Sequence, residues 1–266
     1  MARHVRAEGD VSLNIDSISI AYGTHLVIKG LSLTIPKGAV TAIIGPNGCG
    51  KSTLLRGIAG LLPLQRGRIV LDENPVAQMR PSALARRLAL LPQAPLAPEG
   101  IRVQELVTRG RTPWLRPFRP PAAADRDAVE RAMHAAGVAE MRHRRVSDLS
   151  GGQRQRVWIA MAFAQETEWL LLDEPTTWLD LPHQLEVLHL IRRQSSEASR
   201  SMVMTLHDIS LAARFADHVI ALRDGDLVAQ GPAHQVITPE VLKRSFGLKA
   251  QVIPDPLHGT PLVLPR

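Results

Sequence analysis

The stretch Gly45-Pro46-Asn47-Gly48-Cys49-Gly50-Lys51-Ser52-Thr53 sets a G-x-x-x-x-G-K-[ST] pattern between an apolar run, Val40 to Ile44, and a helical pattern, Leu54 to Leu62. A loop that wraps phosphate needs glycines so that backbone N–H groups turn inward, and a following helix whose positive N-terminal end faces the anion. Both are present. In this reading Lys51 reaches the β- and γ-phosphates of a nucleotide, Ser52 offers its hydroxyl to Mg²⁺, and the backbone of Asn47 to Thr53 cradles the rest. A glycine-rich strand-to-helix turn without a ligand would leave the Lys-Ser pair unexplained.

The 266 residues fit one large α/β domain, or a core with an inserted subdomain, and they suffice for a buried core. Hydrophobic content of 45% and charged content of 21% are those of an ordinary soluble globular chain. No stretch approaches the roughly 20 apolar residues of a membrane-spanning helix, and Met1 to Asp10 has no apolar core of the kind a signal peptide carries, so a cytosolic chain is expected. Cys49, the single cysteine, reads as a small loop residue in a reducing compartment. The formal charge of +7 raises the question of nucleic acid. Its distribution argues against that partner: lysine is confined to Lys29, Lys37, Lys51, Lys243 and Lys249, the arginines are scattered, and aromatics make up only 3%.

From Val11 to Ile35 apolar residues recur at approximate period two, broken near Tyr22-Gly23, which predicts an antiparallel strand pair leading into the phosphate-loop strand. Tyr22, the only tyrosine, is placed to stack on a nucleotide base or simply to pack. Gly67 to Leu71 reads as a strand, a helix opens near Pro81, and Leu88 to Leu91 is a short apolar run ending at Gln93. From Ala94 to Glu166 prolines, Pro117 among them, punctuate helical segments at Val103 to Arg109 and Asp125 to Ala136. No strand pattern returns before Trp169, so this stretch reads as an inserted helical subdomain.

The last helix of that insertion opens at Leu149-Ser150-Gly151-Gly152-Gln153, where Ser150 and Gln153 fit a capping box. Two glycines in a first turn cost about 1 kcal/mol each relative to alanine. They make sense if an anion must approach the backbone, as in the phosphate loop. Next, Trp169-Leu170-Leu171-Leu172-Asp173-Glu174-Pro175 predicts a central parallel strand ending in two carboxylates, at the sheet edge where open α/β folds bind ligands. There Asp173 is placed to hold Mg²⁺ and Glu174 to orient or deprotonate water. Trp178-Leu179-Asp180 precedes a helix from Pro182 to about Arg193. Met202 to Leu206 reads as a strand, with His207 at its end in line with the carboxylates.

Taken in order, the phosphate loop, Gln93, Leu-Ser-Gly-Gly-Gln, Leu-Leu-Leu-Leu-Asp-Glu-Pro, Trp-Leu-Asp and His207 resemble the nucleotide-binding subunit of an ATP-binding-cassette (ABC) transporter from about Val11 to Gly231. The resemblance implies an α/β phosphate-loop (RecA-like) ATPase core with an N-terminal antiparallel β subdomain, together residues 1–93 and 167–266, and the α-helical subdomain, 94–166. It also implies that Tyr22 stacks on adenine, that Gly45 to Thr53 bind ATP, and that Ser52, Gln93 and Asp173 attend Mg²⁺. Glu174 is then the general base, and His207 contacts the γ-phosphate. Gln93 touches the attacking water and signals to a membrane partner. Asp180 crosses a homodimer interface, and Ser150, Gly151, Gly152 and Gln153 meet ATP held by the opposite chain.

Trp178, where many ABC proteins carry a small residue, and Leu181-Pro182-His183-Gln184 resemble the importers of ferric siderophores, haem and cobalamin. Arg109-Gly110-Arg111-Thr112-Pro113 and the tail around Ile253-Pro254-Asp255-Pro256 favour the siderophore branch. Implied partners are a second copy, permease subunits and, through them, a substrate-binding protein, with the chain peripheral on the inner face of the membrane. A soluble ABC ATPase acting on nucleic acid or ribosomes would be expected to carry long coiled coils or paired cassettes, and a phosphate-loop kinase or GTPase would leave Leu149 to Gln153 unexplained.

Overall fold

The computed structural model describes residues 12–116 and 119–266; Val11 and Pro117 lie outside them. The first described elements are β1 (Leu13–Tyr22) and β2 (His25–Ile35), an antiparallel hairpin joined by β4 (Arg66–Leu71) and the short β5 (Asn74–Pro75) in the order β2-β1-β4-β5. Side chains of β2 alternate between buried and exposed over Leu31 to Ile35, as a strand with one wet face requires. The phosphate-loop strand β3 (Val40–Ile44) is not an extension of this hairpin. It belongs to a second, six-stranded sheet.

That sheet also contains β6 (Leu88–Leu91), β7 (Trp169–Leu172), β8 (Ser201–Thr205), β9 (His218–Arg223) and β10 (Asp226–Gly231), in the order β10-β9-β3-β8-β7-β6. All its pairings are parallel except β10 on β9. Every residue of β3, β7 and β8 is buried, which explains their largely apolar character, interrupted only by Thr41, Ser201 and Thr205. Period-two geometry sends alternate residues to opposite faces. Ile43, Leu171, Val203 and Ile220 pack with the antiparallel sheet and with helix α1 (Lys51–Ile58), whereas Ala42, Leu170, Met202 and Val219 join the core formed with the other helices.

Helix α1 starts three residues earlier than the apolar pattern suggests, at Lys51, and ends by Ile58, shortly before Gly60 adopts a φ of 68°. The phosphate-loop lysine and serine therefore belong to its first turn. Helix α2 (Pro81–Leu84) is a single turn. Between β6 and β7 the described residues form α3 (Val103–Thr108), α4 (Ala123–Ala135), α5 (Gly151–Ala164) and 3₁₀ turns, with one isolated bridge between Arg102 and Arg145.

The Arg-Gly-Arg-Thr-Pro stretch knits this helical segment together, and Pro113 ties it to the core by accepting from Arg86 (2.8 Å). Gly110 lies so close to α5 that a Cβ there would stand 2.1 Å from the Met161 carbonyl oxygen. Arg111, buried, donates to Asp125 (3.0 Å), Glu166 (3.0 Å) and the Ala164 carbonyl (2.9 Å). Trp114 donates to the Gln165 carbonyl (2.7 Å), and the Gln165 amide donates to Ala85 (2.6 Å), just ahead of β6. A buried arginine is tolerated because its charge is met by two carboxylates and a carbonyl.

Helix α6 (Leu181–Glu197) runs four residues beyond its expected end. After β8 come α7 (Ile209–Phe215), α8 (Ala233–Val236) and α9 (Pro239–Phe246), followed by a hairpin of β11 (Ala250–Pro254) and β12 (Pro261–Pro265) formed by the tail.

Candidate functional site

The loop between β3 and α1 is shaped by what surrounds it. Gly50 caps α1 with a φ of 103°, a conformation that favours glycine, and the Ile28 side chain leaves no space for a Cβ there. At Gly45 a Cβ would meet the Leu222 carbonyl oxygen of β9 at 2.4 Å. The turn after β9 completes the support, with Gly225 N–H donating to the Cys49 carbonyl (3.1 Å). Cys49 itself is buried, and burial pushes its thiol above the ordinary value, the opposite of what a redox sensor needs.

Lys51 is only 5% exposed, and its ammonium donates to the Gly45 (2.9 Å) and Pro46 (3.0 Å) carbonyls. An ammonium has three donors, so the loop holds the charge beneath it with capacity left for an anion.

The carboxylates stand where β7 ends. Ser52 Oγ donates to Asp173 Oδ1 (2.9 Å), and so does Thr205 Oγ1 (2.9 Å), which also accepts from the Glu174 N–H (2.7 Å). Glu174 has a φ of 50°, uncommon for a residue with a side chain and costing on the order of 1 kcal/mol. Its carboxylate is held from several sides. His207 Nε2 lies 2.7 Å from Oε1, while Thr177 (2.9 Å) and the Gln93 amide donate to Oε2. Gln93, Glu174 and His207, separated by up to 114 positions in sequence, thus meet at the C-terminal edge of β6, β7 and β8.

Thr205 and Thr177 were missed as site residues in the sequence. A hydroxyl at the C-terminal end of a strand, two residues before His207, was the available signal for the first. Its three-residue spacing from Glu174 was the signal for the second.

Ser52 and Asp173 give an oxygen donor set that suits Mg²⁺. Among the described residues no group of three or more His, Cys, Asp or Glu side chains is gathered to bind a metal without help. Mg²⁺ typically takes one or two carboxylates plus phosphate oxygens, and Ser52 and Asp173 would supply one hydroxyl and one carboxylate to it.

Other expected residues lie apart. Tyr22 is exposed at the end of β1, beyond the flank of β2 that packs on Gly50. Ser150 and Gln153 form the expected capping box, Gln153 N–H to Ser150 Oγ at 3.3 Å and Ser150 N–H to Gln153 Oε1 at 3.2 Å. Among the described residues no hydrogen bond connects residues 150–153 to the phosphate loop or to the carboxylates. Gly151 has open space around it, but Gly152 is buried against His183, so an approaching anion is not the only reason for a glycine there. Trp178 is 92% exposed at a φ of 65°, and Asp180 caps α6 and pairs with His183.

A phosphate-wrapping loop on a helix start, with a serine–aspartate pair and a caged glutamate at the adjoining strand ends, defines a phosphate-loop nucleotide hydrolase. Residues 28–177 match the family model described as ABC transporter, and the chain belongs to that family; its nucleotide is ATP and its activity is that of an ATPase. It is 45% identical over 258 residues to a protein of Bacillus subtilis (strain 168) described as "Probable siderophore transport system ATP-binding protein YusV", covering 97% of this chain and 94% of that one. It is also 45% identical to the ferric enterobactin transport ATP-binding protein FepC of Escherichia coli (strain K12), over 97% of this chain and 95% of that protein. Among solved structures, the one described as "An inward-facing conformation of a putative metal-chelate type ABC transporter" superposes with a TM-score of 0.83 at 27% identity, covering 97% of this chain and 98% of the other.

Proposed function

We propose that the chain powers uptake of a ferric siderophore, binding MgATP between two copies of itself and passing closure and hydrolysis to a separate permease. The observation that carries this reading is the cage around Glu174. A carboxylate held by Gln93, Thr177 and His207, one residue from the Ser52–Asp173 pair, is placed to take a proton from water attacking the γ-phosphate. Lys51 and the loop backbone hold the phosphates, Ser52 and Asp173 hold Mg²⁺, and His207 attends the γ-phosphate. Tyr22 stacks on adenine.

Ser150, Gly151, Gly152 and Gln153 supply a second anion clamp to the ATP of the other copy, with Asp180 at the twofold interface. Residues 94–166 act as the helical subdomain, and 1–93 with 167–266 as the core. Gln93 links the site to the permease: two positions on begins an open groove of about 660 Å³, lined by Pro95 to Gly100, Arg145, Arg154 and Trp158, where Leu96 is 93% exposed. No helix among the described residues is long and apolar enough to cross a membrane, which supports a translocation path made by other chains, with this one peripheral on the cytoplasmic side. The cargo follows the relatives named for siderophores, delivered by a substrate-binding protein.

Glu174→Gln tests the chemistry. ATP binding is retained while turnover falls by about 100-fold or more. Hydrolysis at the parent rate would remove Glu174 as the base. Uptake of labelled ferric siderophore, haem and cobalamin in a strain lacking the chain tests the cargo; loss of haem or cobalamin uptake alone would replace the siderophore reading.

A further inference from the structure

His183 belongs to none of the motifs that bind nucleotide, yet it joins two of them. It lies in the first turn of α6, where its backbone N–H (3.3 Å) and ring Nδ1 both meet Asp180 Oδ1. The other side of its ring closes on the first turn of α5. A Cβ at position 152 would stand 2.7 Å from His183 Cδ2 and 3.1 Å from Cγ, so the imidazole occupies the space that a side chain at 152 would fill. One turn further along both helices, Arg156 pairs with Glu186 at 2.7 Å, giving α5 and α6 a second cross-tie.

The first turn of α5 needs such support. Two glycines deprive it of side-chain packing and raise the backbone entropy lost on ordering. The capping box restrains the backbone but says nothing about where the turn points. Contact with His183 supplies that direction, because Asp180 fixes the ring and the ring fixes Gly152.

We propose that His183 is a positioning residue that locks the Ser150–Gln153 turn to the Trp178–Asp180 loop, so that both present one rigid edge to a second copy of the chain. This rests on the reading that those residues close on ATP bound by that copy. Gly152 is thereby required by the histidine of its own chain. Misplacement of a catalytic edge by about 1 Å costs as much as 10²-fold in rate, so losing the ring is expected to act on turnover rather than on ATP binding.

The test measures ATP affinity, ATPase kcat and KM, and melting temperature on the full-length protein. His183→Ala keeps the parent's ATP affinity while kcat falls by about tenfold or more. His183→Asn, which retains a donor for Asp180 but not the ring, behaves like the alanine variant. Gly152→Ala also loses turnover, and Gly152→Ala/His183→Ala is no slower than His183→Ala alone, because the clash is gone. Parent-like kcat in either His183 variant, or losses that add in the double variant, overturns the proposal. So does a fall in melting temperature with kcat intact in the folded fraction. Ser150→Arg is the control: parent turnover there defeats the two-chain reading, whereas lost turnover there with an intact His183→Ala enzyme defeats the positioning role alone.

Discussion

Two helices of this chain begin at glycine-rich turns, and the turns are built differently. At α1 the glycines adopt conformations or close approaches that a side chain forbids, Gly50 at φ 103° and Gly45 against Leu222, and the loop curls around a buried lysine. At α5 neither Gly151 nor Gly152 takes a positive φ; the turn is ordinary helix with its side chains removed, one face open and the other filled by His183. Under the proposed function the first arrangement makes an anion site within one chain, and the second offers its open face to another chain.

That contrast is broken most directly by charge. Lys51→Ala is expected to weaken ATP binding about 100-fold, whereas Ser150→Arg leaves binding intact and abolishes turnover, both read by titration with labelled ATP and by phosphate release. Mixing the two variants allows at most one complete site per dimer, so activity reaches no more than about half of the parent's. Full activity in the mixture would mean that the turn at α5 serves no other chain.

A smaller effect sharpens the difference in backbone. Gly48→Ala places a side chain at φ 78° and is expected to cost about 1 kcal/mol, a fall of about 2–4 °C in melting temperature. Gly151→Ala enters open space in a right-handed turn and gains about 0.5 kcal/mol, yet it slows turnover. Shifts of the same sign in calorimetry would show that the two glycine turns are not distinguished by conformation.

The smallest expected effect is on pH dependence. Burial holds the His218 imidazole, on the strand that backs the phosphate loop, below its ordinary value. The unfolded chain then takes up this proton first, so stability present above about pH 6.5 is lost as the pH falls toward the depressed folded value. His218→Asn should flatten the melting temperature between about pH 7 and pH 5.5, while substitutions at the α5 turn leave that slope alone. On the α5 side the hydrogen bond from His183 holds Asp180 below the ordinary carboxylate value, and stability from that pair is lost only at lower pH, as the carboxylate protonates.

Much of the site was legible because its chemistry demands particular residues at fixed local spacing: Lys51 and Ser52 after glycines, Asp173 and Glu174 after four apolar residues. The strands β3, β7 and β8 were equally readable, since burial on both faces leaves largely apolar runs. What escaped depends on contacts between distant segments. Nothing near Thr205 announces that its hydroxyl bridges Asp173 and the Glu174 N–H, and nothing near His183 announces a glycine 31 positions earlier. The first hairpin was legible as an antiparallel pair, while the choice of strands that β3 joins was not. Alternation identifies strands, but their partners are chosen by packing across α1.

The ties made by Arg111, Trp114 and Gln165 gather at the end of α5 farthest from Ser150. A helix of 14 residues is about 21 Å long. Held by Ala85 at one end and by His183 and Glu186 of α6 at the other, the helix is a strut rather than a hinge, so under the proposed function a shift of the sheet edge at β6 reaches Ser150 only by carrying α6 with it.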